Sequence, residues 1–209
     1  LQVVSDDEDL SIVAAKTAAA LLRGARGNSG VILSLVFRGI SNGFKGKKEV
    51  GGKDLAAALT LGKESAYKAV MKPTEGTILT VVRKAAAAAE ALALDDCGTV
   101  LDEAYRAAQE ALAETPELLP VLKEAGVVDA GGQGFLYILD GIRGYINEGK
   151  FIESNDDASP AKSNAEESKI RRSGGFGRHQ IRLLQRVPHN QIEKIRRAHR
   201  SKLKAYLDR

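Results

Sequence analysis

The sequence predicts an all-α protein with a helical body and a basic tail. Apolar residues recur at helical spacing through most of the first 150 residues. No segment there shows the strict alternation of apolar and polar residues that is typical of a half-buried strand. The Lys and Arg residues are concentrated toward the end of the chain. These observations predict a helix-on-helix body followed by a polar, positively charged extension.

Composition limits the classes of protein to which the chain can belong. No apolar run reaches the roughly 18 residues that indicate a membrane span, and the start at Leu1 lacks the pattern of a signal peptide. Cys97 is the only cysteine, which excludes a disulfide framework within the chain. It stands in a predicted loop, where Asp95 and Asp96 would raise its pKa, so we expect no nucleophile. A cytoplasmic location is the expectation.

Charge and composition together mark the domain boundaries. Residues 161–209 carry 14 Lys and Arg against 4 Asp and Glu, whereas residues 1–160 carry the remaining 17 against 23. Between these parts, residues 153–169 are polar and lack apolar periodicity, as expected of a linker. We therefore predict a helical domain at 1–152, a linker at 153–169 and a basic, partly helical extension at 170–209.

The first five helices are predicted from periodicity and from their boundaries. Ser5 and Glu8 have the spacing of a capping box, and the helix that follows runs to Gly24. The second, at 31–44, carries apolar residues on nearly all sides and is expected to be central and buried. Three more helices are predicted at 55–70, 77–94 and 101–112.

Two further helices complete the body. Thr115 is predicted to be the N-cap of the sixth, with Pro116 at its first position and Gly126 as its C-cap. The seventh is predicted from about residue 133 to residue 148. The body is therefore expected to contain seven helices and no sheet.

Three of the predicted helices begin after glycine-rich segments with small hydrogen-bonding side chains. These are GNSG at 27–30, PTEGT at 73–77 and DAGGQG at 129–134. Free backbone N–H groups and the helix dipole attract an anion to a helix start, and glycine lets a phosphate approach the backbone. The three segments therefore favour a phosphate site, provided that the helices pack with these ends on the same side.

The alternative is that these segments are ordinary helix starts. Ser29, Thr74 and Asp129 would then be N-caps, and the glycines would serve the turns. The sequence contains neither G-x-x-x-x-G-K-[ST] nor a G-x-G-x-x-G between a strand and a helix. A P-loop and a Rossmann site are thereby excluded, and any nucleotide would have to bind to helices.

Three longer blocks carry a family resemblance. GARGNSGVILSLVFRG, PTEGTILTVVR and LKEAGVVDAGGQGFLYILDG resemble, in this order, the signature blocks of the L-domain of dihydroxyacetone kinases. The chain most resembles the form of this domain that stands at the N-terminus of the ATP-binding component of bacterial fatty acid kinase, and the resemblance covers about residues 10–150. It implies an antiparallel barrel of helices that holds ATP at one end, with magnesium ions bridging the phosphates to aspartates.

The resemblance also implies which residues bind ATP. The first block would meet the phosphates through its Asn and Ser and the surrounding amides, while its arginine would either face the phosphates or brace the loop. The second block would lie at the nucleotide, and the third would close over the ribose or base. The residues concerned are Arg26, Gly27, Asn28, Ser29, Gly30, Gly76, Thr77, Leu79, Asp129, Ala130, Gly131 and Gly132.

One element of the family pattern is missing. Residues 1–20 contain no counterpart of the metal-binding D-G-D-x-G-x-N block. The acidic run at 5–9 lacks the glycines, and the helix dipole accounts for acidic residues in a first turn. The magnesium ligands are therefore expected upstream of this chain, and catalysis by the chain alone is not expected, because phosphoryl transfer relies on metal ions.

Two functions of different kinds remain open at this stage. In the first, the chain is the ATP-binding domain of a kinase that transfers the γ-phosphate to a fatty acid carboxylate or glycerone presented by a partner protein, with a homodimer as a further option. In the second, it is a non-catalytic helical scaffold whose basic tail contacts nucleic acid or an acidic partner. The tail offers nothing that reads base edges, so any binding to nucleic acid is expected to be non-specific.

Overall fold

The computed structural model describes residues 9–149, which form seven α-helices and no strand. The all-α prediction and the number of helices in the body are confirmed for this part of the chain. The capping box at Ser5 and Glu8, the linker and the basic extension lie outside the described residues. The helices are α1 (Leu10–Gly24), α2 (Gly27–Gly43), α3 (Gly52–Ala69), α4 (Ile78–Leu92), α5 (Cys97–Leu118), α6 (Pro120–Ala125) and α7 (Ala130–Glu148).

Consecutive long helices pack side by side and alternate in direction. From α1 to α5 each helix contacts the next, and α7 returns against α4 and α5. The start of α3 meets the connection between α4 and α5, where the Gly52 N–H donates to the Asp95 carbonyl at 2.9 Å. The helices α3 and α5 therefore begin at the end of the body where α2 and α4 finish.

The central helix is α4, and the prediction of a central second helix is wrong. Eight of the 15 residues of α4 are buried, including an unbroken run from Ile78 to Val82. By contrast, α2 buries only three of its 17 residues, and Val31 is 44% exposed. The reason lies in side-chain size, since the alanines of α4 let α3, α5 and α7 all approach it closely.

Glycines bring α2 and α3 into backbone contact. A methyl group added at Gly39 would lie 2.3 Å from the Leu61 carbonyl oxygen, and one at Gly43 would lie 2.7 Å from the Ala58 Cα. From the side of α3, a methyl group at Gly62 would lie 2.9 Å from a carbonyl oxygen of α2. These positions pair in opposite chain directions, so the two helices are antiparallel and their backbones meet at the glycines.

The fifth helix is longer than predicted, and the proposed start of the sixth is wrong. Helix α5 continues through Thr115 and Pro116 and ends at Leu118. A proline deprives the carbonyl four residues earlier of its partner, here that of Leu112. The buried Thr115 hydroxyl donates to this carbonyl at 2.7 Å and so supports the helix across the proline.

The sixth helix is a short one that begins later than predicted. It starts at Pro120, which occupies the first turn, where a missing N–H costs little. It ends at Ala125, and its C-cap is Gly126, which has the left-handed conformation with φ of 65°. The predicted C-cap is thus confirmed, although the predicted N-cap is not.

Cys97 is the first residue of α5 rather than a loop residue. Its partly buried thiol donates to the Val50 carbonyl at 3.4 Å. Burial raises the pKa of this thiol, and the neighbouring carboxylates of Asp96 and Asp95 raise it further. The thiol is therefore held in its neutral form, which agrees with the expectation that it is not a nucleophile.

Candidate functional site: three helix starts at one end of the body

The starts of α2, α4 and α7 lie together. A methyl group added at Gly131, in the first turn of α7, would stand 2.9 Å from Ser29 Oγ in the first turn of α2. One added at Gly132 would stand 2.7 Å from a methyl carbon of Val81 in α4. The geometric condition for a shared phosphate site is therefore met, because the three glycine-rich segments converge at one end of the body.

Helix α7 is capped by Asp129, as the alternative of ordinary helix starts holds. Its carboxylate oxygen Oδ2 accepts a hydrogen bond from the Gly132 N–H at 2.7 Å. The N–H of Asp129 donates to the Thr115 hydroxyl oxygen at 3.1 Å, which ties the start of α7 to the end of α5. Helix α7 therefore begins at Ala130, three residues before the predicted position.

Asp129 is partly buried. Burial raises its pKa, while the N–H group of Gly132, and to a smaller extent those of Ile78 and Gly131, act in the opposite direction. The net pKa is raised. The hydrogen bond from the Gly132 N–H places this carboxylate at the start of α7, and the pKa of the carboxyl also responds to Ile78, the first residue of α4.

Helix α4 is capped by Thr77, and the alternative that assigned the cap to Thr74 is wrong. The Thr77 hydroxyl accepts from the Leu79 N–H at 3.4 Å and donates to the Thr74 carbonyl at 2.7 Å. Gly76 precedes the cap with φ of 81°, a left-handed conformation that favours glycine. A methyl group there would also come within 2.8 Å of Leu119 Cβ.

A polar cluster around Glu75 holds the segment before α4, and no sequence pattern predicted it. One carboxylate oxygen accepts from the Thr80 hydroxyl at 2.6 Å and from Arg83 Nη2 at 2.7 Å. The other accepts from the Tyr67 hydroxyl at 3.0 Å. The Thr80 oxygen in turn accepts from the Gly76 N–H at 2.8 Å. Tyr67 belongs to α3, so the spacing of residues within a single helix could not reveal the cluster.

The cluster favours the charged form of Glu75. Burial acts to raise the pKa of this carboxyl, but the hydrogen bonds from Thr80, Arg83 and Tyr67 outweigh it. The net pKa is lowered. A charged Glu75 thus fixes the backbone on the N-terminal side of the α4 cap.

Helix α2 differs from the other two because no side chain caps it. The structure begins α2 at Gly27, so Gly27–Gly30 form its first turn, and the alternative in which Ser29 is an N-cap is wrong. The N-cap position is occupied by Arg26, whose side chain makes no capping hydrogen bond and instead donates to the Ala25 carbonyl at 2.9 Å. Gly27, Asn28 and Ser29 are exposed. This helix start is therefore open to solvent.

An apolar pocket lies beside the open start of α2. It measures about 330 Å³ and is lined by α1, α2 and the connection between them, with Leu21 and Leu33 among its lining residues. Arg26 and Gly30 also line it. The pocket thus joins an apolar wall to the uncapped helix start.

The twelve predicted site residues come to one end of the body but differ in what they expose. The side chain of Leu79 is only 2% exposed and belongs to the core, so that residue could reach a ligand only through its backbone. Gly132 is buried against Val81, whereas Ala130 is exposed. Within residues 9–149, no group of three or more His, Cys, Asp or Glu is placed to hold a metal ion. In the same residues, no helix has the length and apolar character needed to cross a membrane.

The comparisons with known proteins decide the family. A family model described as the DAK2 domain matches residues 1–144. The chain belongs to the DAK2-domain family. This family has an all-α fold, which confirms the predicted L-domain type, and its domains are in general ATP-binding domains of the kinase kind.

Curated relatives share about half of the aligned residues. Protein YloV of Bacillus subtilis is 51% identical over 138 residues, which are 65% of this chain and 25% of the relative. An uncharacterized protein of Staphylococcus haemolyticus is 51% identical over 123 residues, and one of Staphylococcus epidermidis is 52% identical over 123. Each of these two matches covers 58% of this chain and 22% of the relative. The chain thus spans a quarter or less of the length of these relatives.

Proposed function

We propose that this chain is the ATP-binding domain of a kinase and that the open start of α2 receives the nucleotide phosphates. The observation that carries the proposal is the difference in capping among three converging helix starts. Thr77 caps α4 and Asp129 caps α7, whereas α2 has no side-chain cap. An uncapped helix start offers N–H donors and the positive end of the helix dipole to an anion.

The residues around this helix start suit a phosphate chain. Gly27 and Gly30 leave the backbone accessible, and the exposed Asn28 and Ser29 add side-chain hydrogen-bond partners. Arg26 stands immediately before the helix and contributes positive charge at the same place. In this proposal the segments 76–79 and 129–132, whose helix starts lie beside that of α2, would enclose the rest of the nucleotide.

The transfer reaction belongs to the same proposal. The acceptor would be a fatty acid carboxylate or glycerone, presented by a partner protein in the cytoplasm, and its oxygen would attack the γ-phosphorus while the bond to ADP breaks. The described residues of this chain would hold and orient the phosphates during that step. Within residues 9–149 no group of three or more His, Cys, Asp or Glu is placed to hold a metal ion, and we assign no part of the reaction to a metal bound by these residues.

One backbone amide of α2 provides a direct test. Replacing Asn28 with Pro removes a first-turn N–H, at a position where proline is compatible with a helix. A hydrogen bond to a charged group contributes about 1.5–3 kcal/mol, so ATP affinity should fall roughly 10- to 100-fold in calorimetric titration with magnesium present.

Two controls separate loss of the amide from other effects. Asn28→Ala removes the same side chain but keeps the N–H, and should weaken binding less. Lys53→Pro introduces proline at the second position of α3, at the opposite end of the body, and should leave ATP affinity unchanged. Equal affinities for Asn28→Pro and Asn28→Ala would contradict the proposal, as would a wild-type chain that binds no ATP.

A further inference from the structure

Thr80 is a polar residue in the most buried part of the central helix. Its side chain is 1% exposed and stands within the unbroken buried run of α4 from Ile78 to Val82. Valine is branched in the same way and would fill this place without a hydroxyl group to satisfy. The hydroxyl of Thr80 therefore has a purpose that packing of the core does not supply.

That purpose lies in two hydrogen bonds that the hydroxyl makes in opposite directions. It donates to a carboxylate oxygen of Glu75 at 2.6 Å, and its oxygen accepts from the Gly76 N–H at 2.8 Å. An ionised carboxylate can only accept, so Glu75 fixes the direction of the hydroxyl proton and leaves the Thr80 oxygen free to accept. We call these three linked groups the Glu75–Thr80–Gly76 relay.

The relay holds the turn that leads into α4. Gly76 has a φ of 81°, and the N-cap Thr77 follows it directly. Glycine adopts this left-handed conformation at little cost, but it populates both signs of φ about equally and so leaves the conformation easily. The hydrogen bond from the Gly76 N–H to Thr80 therefore selects one of the conformations that this glycine would otherwise sample.

The turn stands beside the other two helix starts of the candidate site. Val81, the next residue on α4, lies so close to α7 that a methyl group added at Gly132 would come within 2.7 Å of it. One added at Gly131 would come within 2.9 Å of Ser29 in α2. A change in the turn before α4 would therefore shift Thr77 relative to both neighbouring helix starts.

We propose that Thr80 is a positioning residue of the nucleotide site: its hydroxyl, oriented by Glu75, holds Gly76 and so places the segment 76–79 against the bound nucleotide. Thr80 is buried and acts only through the backbone of this segment. The inference rests on the proposed function, because it specifies how the α4 side of the same site keeps its shape before ATP binds.

The test compares Thr80→Val with Thr80→Ser in calorimetric titrations of the full chain with ATP and magnesium. Thr80→Val keeps the shape of the side chain but loses the hydroxyl, and should bind ATP roughly tenfold more weakly. Thr80→Ser keeps the hydroxyl and should restore most of the affinity. A role in stability alone would lower the free energy of unfolding of Thr80→Val but leave the ATP affinity of its folded form unchanged.

Thr99→Val is the matched control. The Thr99 hydroxyl also donates to a carboxylate, that of Asp96, but it does so at the start of α5, at the opposite end of the body. This variant should leave ATP affinity unchanged. Hydrogen exchange reports on the relay directly, because the Gly76 amide should be protected in the wild type and in Thr80→Ser and exchange faster in Thr80→Val.

A second pair of variants covers the case in which Thr80→Val does not fold. Glu75→Ala removes the acceptor of the Thr80 hydroxyl at a more exposed position and must then show the loss of ATP affinity. Glu75→Gln keeps an amide oxygen that can accept from Thr80, so it should bind ATP more tightly than Glu75→Ala.

The outcomes separate this inference from the proposed function. A folded Thr80→Val that binds ATP as tightly as the wild type would overturn the inference and leave the proposed ATP site standing. A Gly76 amide that exchanges without protection in the wild type would do the same. A wild type that binds no ATP would overturn the proposed function itself, and the inference would fall with it.

Discussion

Gly39→Ala tests the close packing of α2 on α3, on which the position of the open helix start depends. In an unconstrained helix this change would stabilise the folded state, because alanine has the higher helix propensity, by about 0.5–1 kcal/mol. Here the added methyl group would lie 2.3 Å from the Leu61 carbonyl oxygen and 2.6 Å from the Gly62 Cα. Both neighbours are backbone atoms, so they cannot move aside as the end of a side chain could.

The expected magnitude follows from these distances. An ordinary contact to a methyl carbon is about 3.5–4.0 Å, so the two helices would have to separate by roughly 1 Å or more. Overpacking of this kind costs about 1–3 kcal/mol and outweighs the gain in propensity. We therefore expect Gly39→Ala to lower the free energy of unfolding by about 1–2 kcal/mol.

Gly134→Ala is the matched control for this experiment. Gly134 lies within α7, and a methyl group there would meet no other atom within 4 Å. The variant should therefore gain about 0.5–1 kcal/mol, the propensity effect alone. Urea unfolding followed by circular dichroism measures both changes. If Gly39→Ala proves as stable as Gly134→Ala, α2 and α3 are not in backbone contact and the reasoning fails.

Two further predictions concern the converging helix starts. Gly131→Ala should destabilise the fold, because its methyl group would lie 2.9 Å from Ser29 Oγ. In a double-mutant cycle measured by urea unfolding, Ser29→Gly should restore part of the lost free energy of unfolding. Strictly additive effects would show that α2 and α7 do not meet there. Because the pKa of Glu75 is lowered in the folded state, its charged form stabilises the fold. This stabilisation is fully present above the pKa of the unfolded chain, about 4.3, and is lost as the pH falls through the pKa of the folded state. The excess stability of the wild type over Glu75→Gln should therefore be largest at neutral pH and shrink in acid, and a difference that is independent of pH would disprove the role of the Glu75 charge.

The features that the sequence could predict are those that depend on neighbouring residues. The C-cap at Gly126 follows from local backbone chemistry and lies where the sequence predicts it, and the N-cap at Asp129 agrees with the alternative of an ordinary helix start. The sequence did not predict that α5 continues through Pro116, because this depends on a hydrogen bond from the Thr115 hydroxyl to the Leu112 carbonyl, which the proline leaves without an N–H partner. A Thr-Pro pair is equally typical of a helix start, so the sequence alone could not distinguish a new helix from the continuation of α5.

Contacts between distant residues account for the other differences. The central position of α4 depends on three neighbouring helices approaching its alanines, which no periodicity within α4 reveals. For the site, the sequence indicated three similar glycine-rich segments, but it could not show that two of the helix starts are capped and one is not. That difference appears only when Thr77, Asp129 and Arg26 are placed in three dimensions.

The most direct test of the central claim is a crystal structure of this chain with a non-hydrolysable ATP analogue. The account predicts phosphate oxygens at hydrogen-bond distance, about 2.7–3.2 Å, from the backbone nitrogens of residues 28–30. It also predicts that the Asp129 carboxylate keeps its hydrogen bond from the Gly132 N–H when the nucleotide is bound. A phosphate chain bound elsewhere, with the first turn of α2 still exposed to solvent, would contradict it.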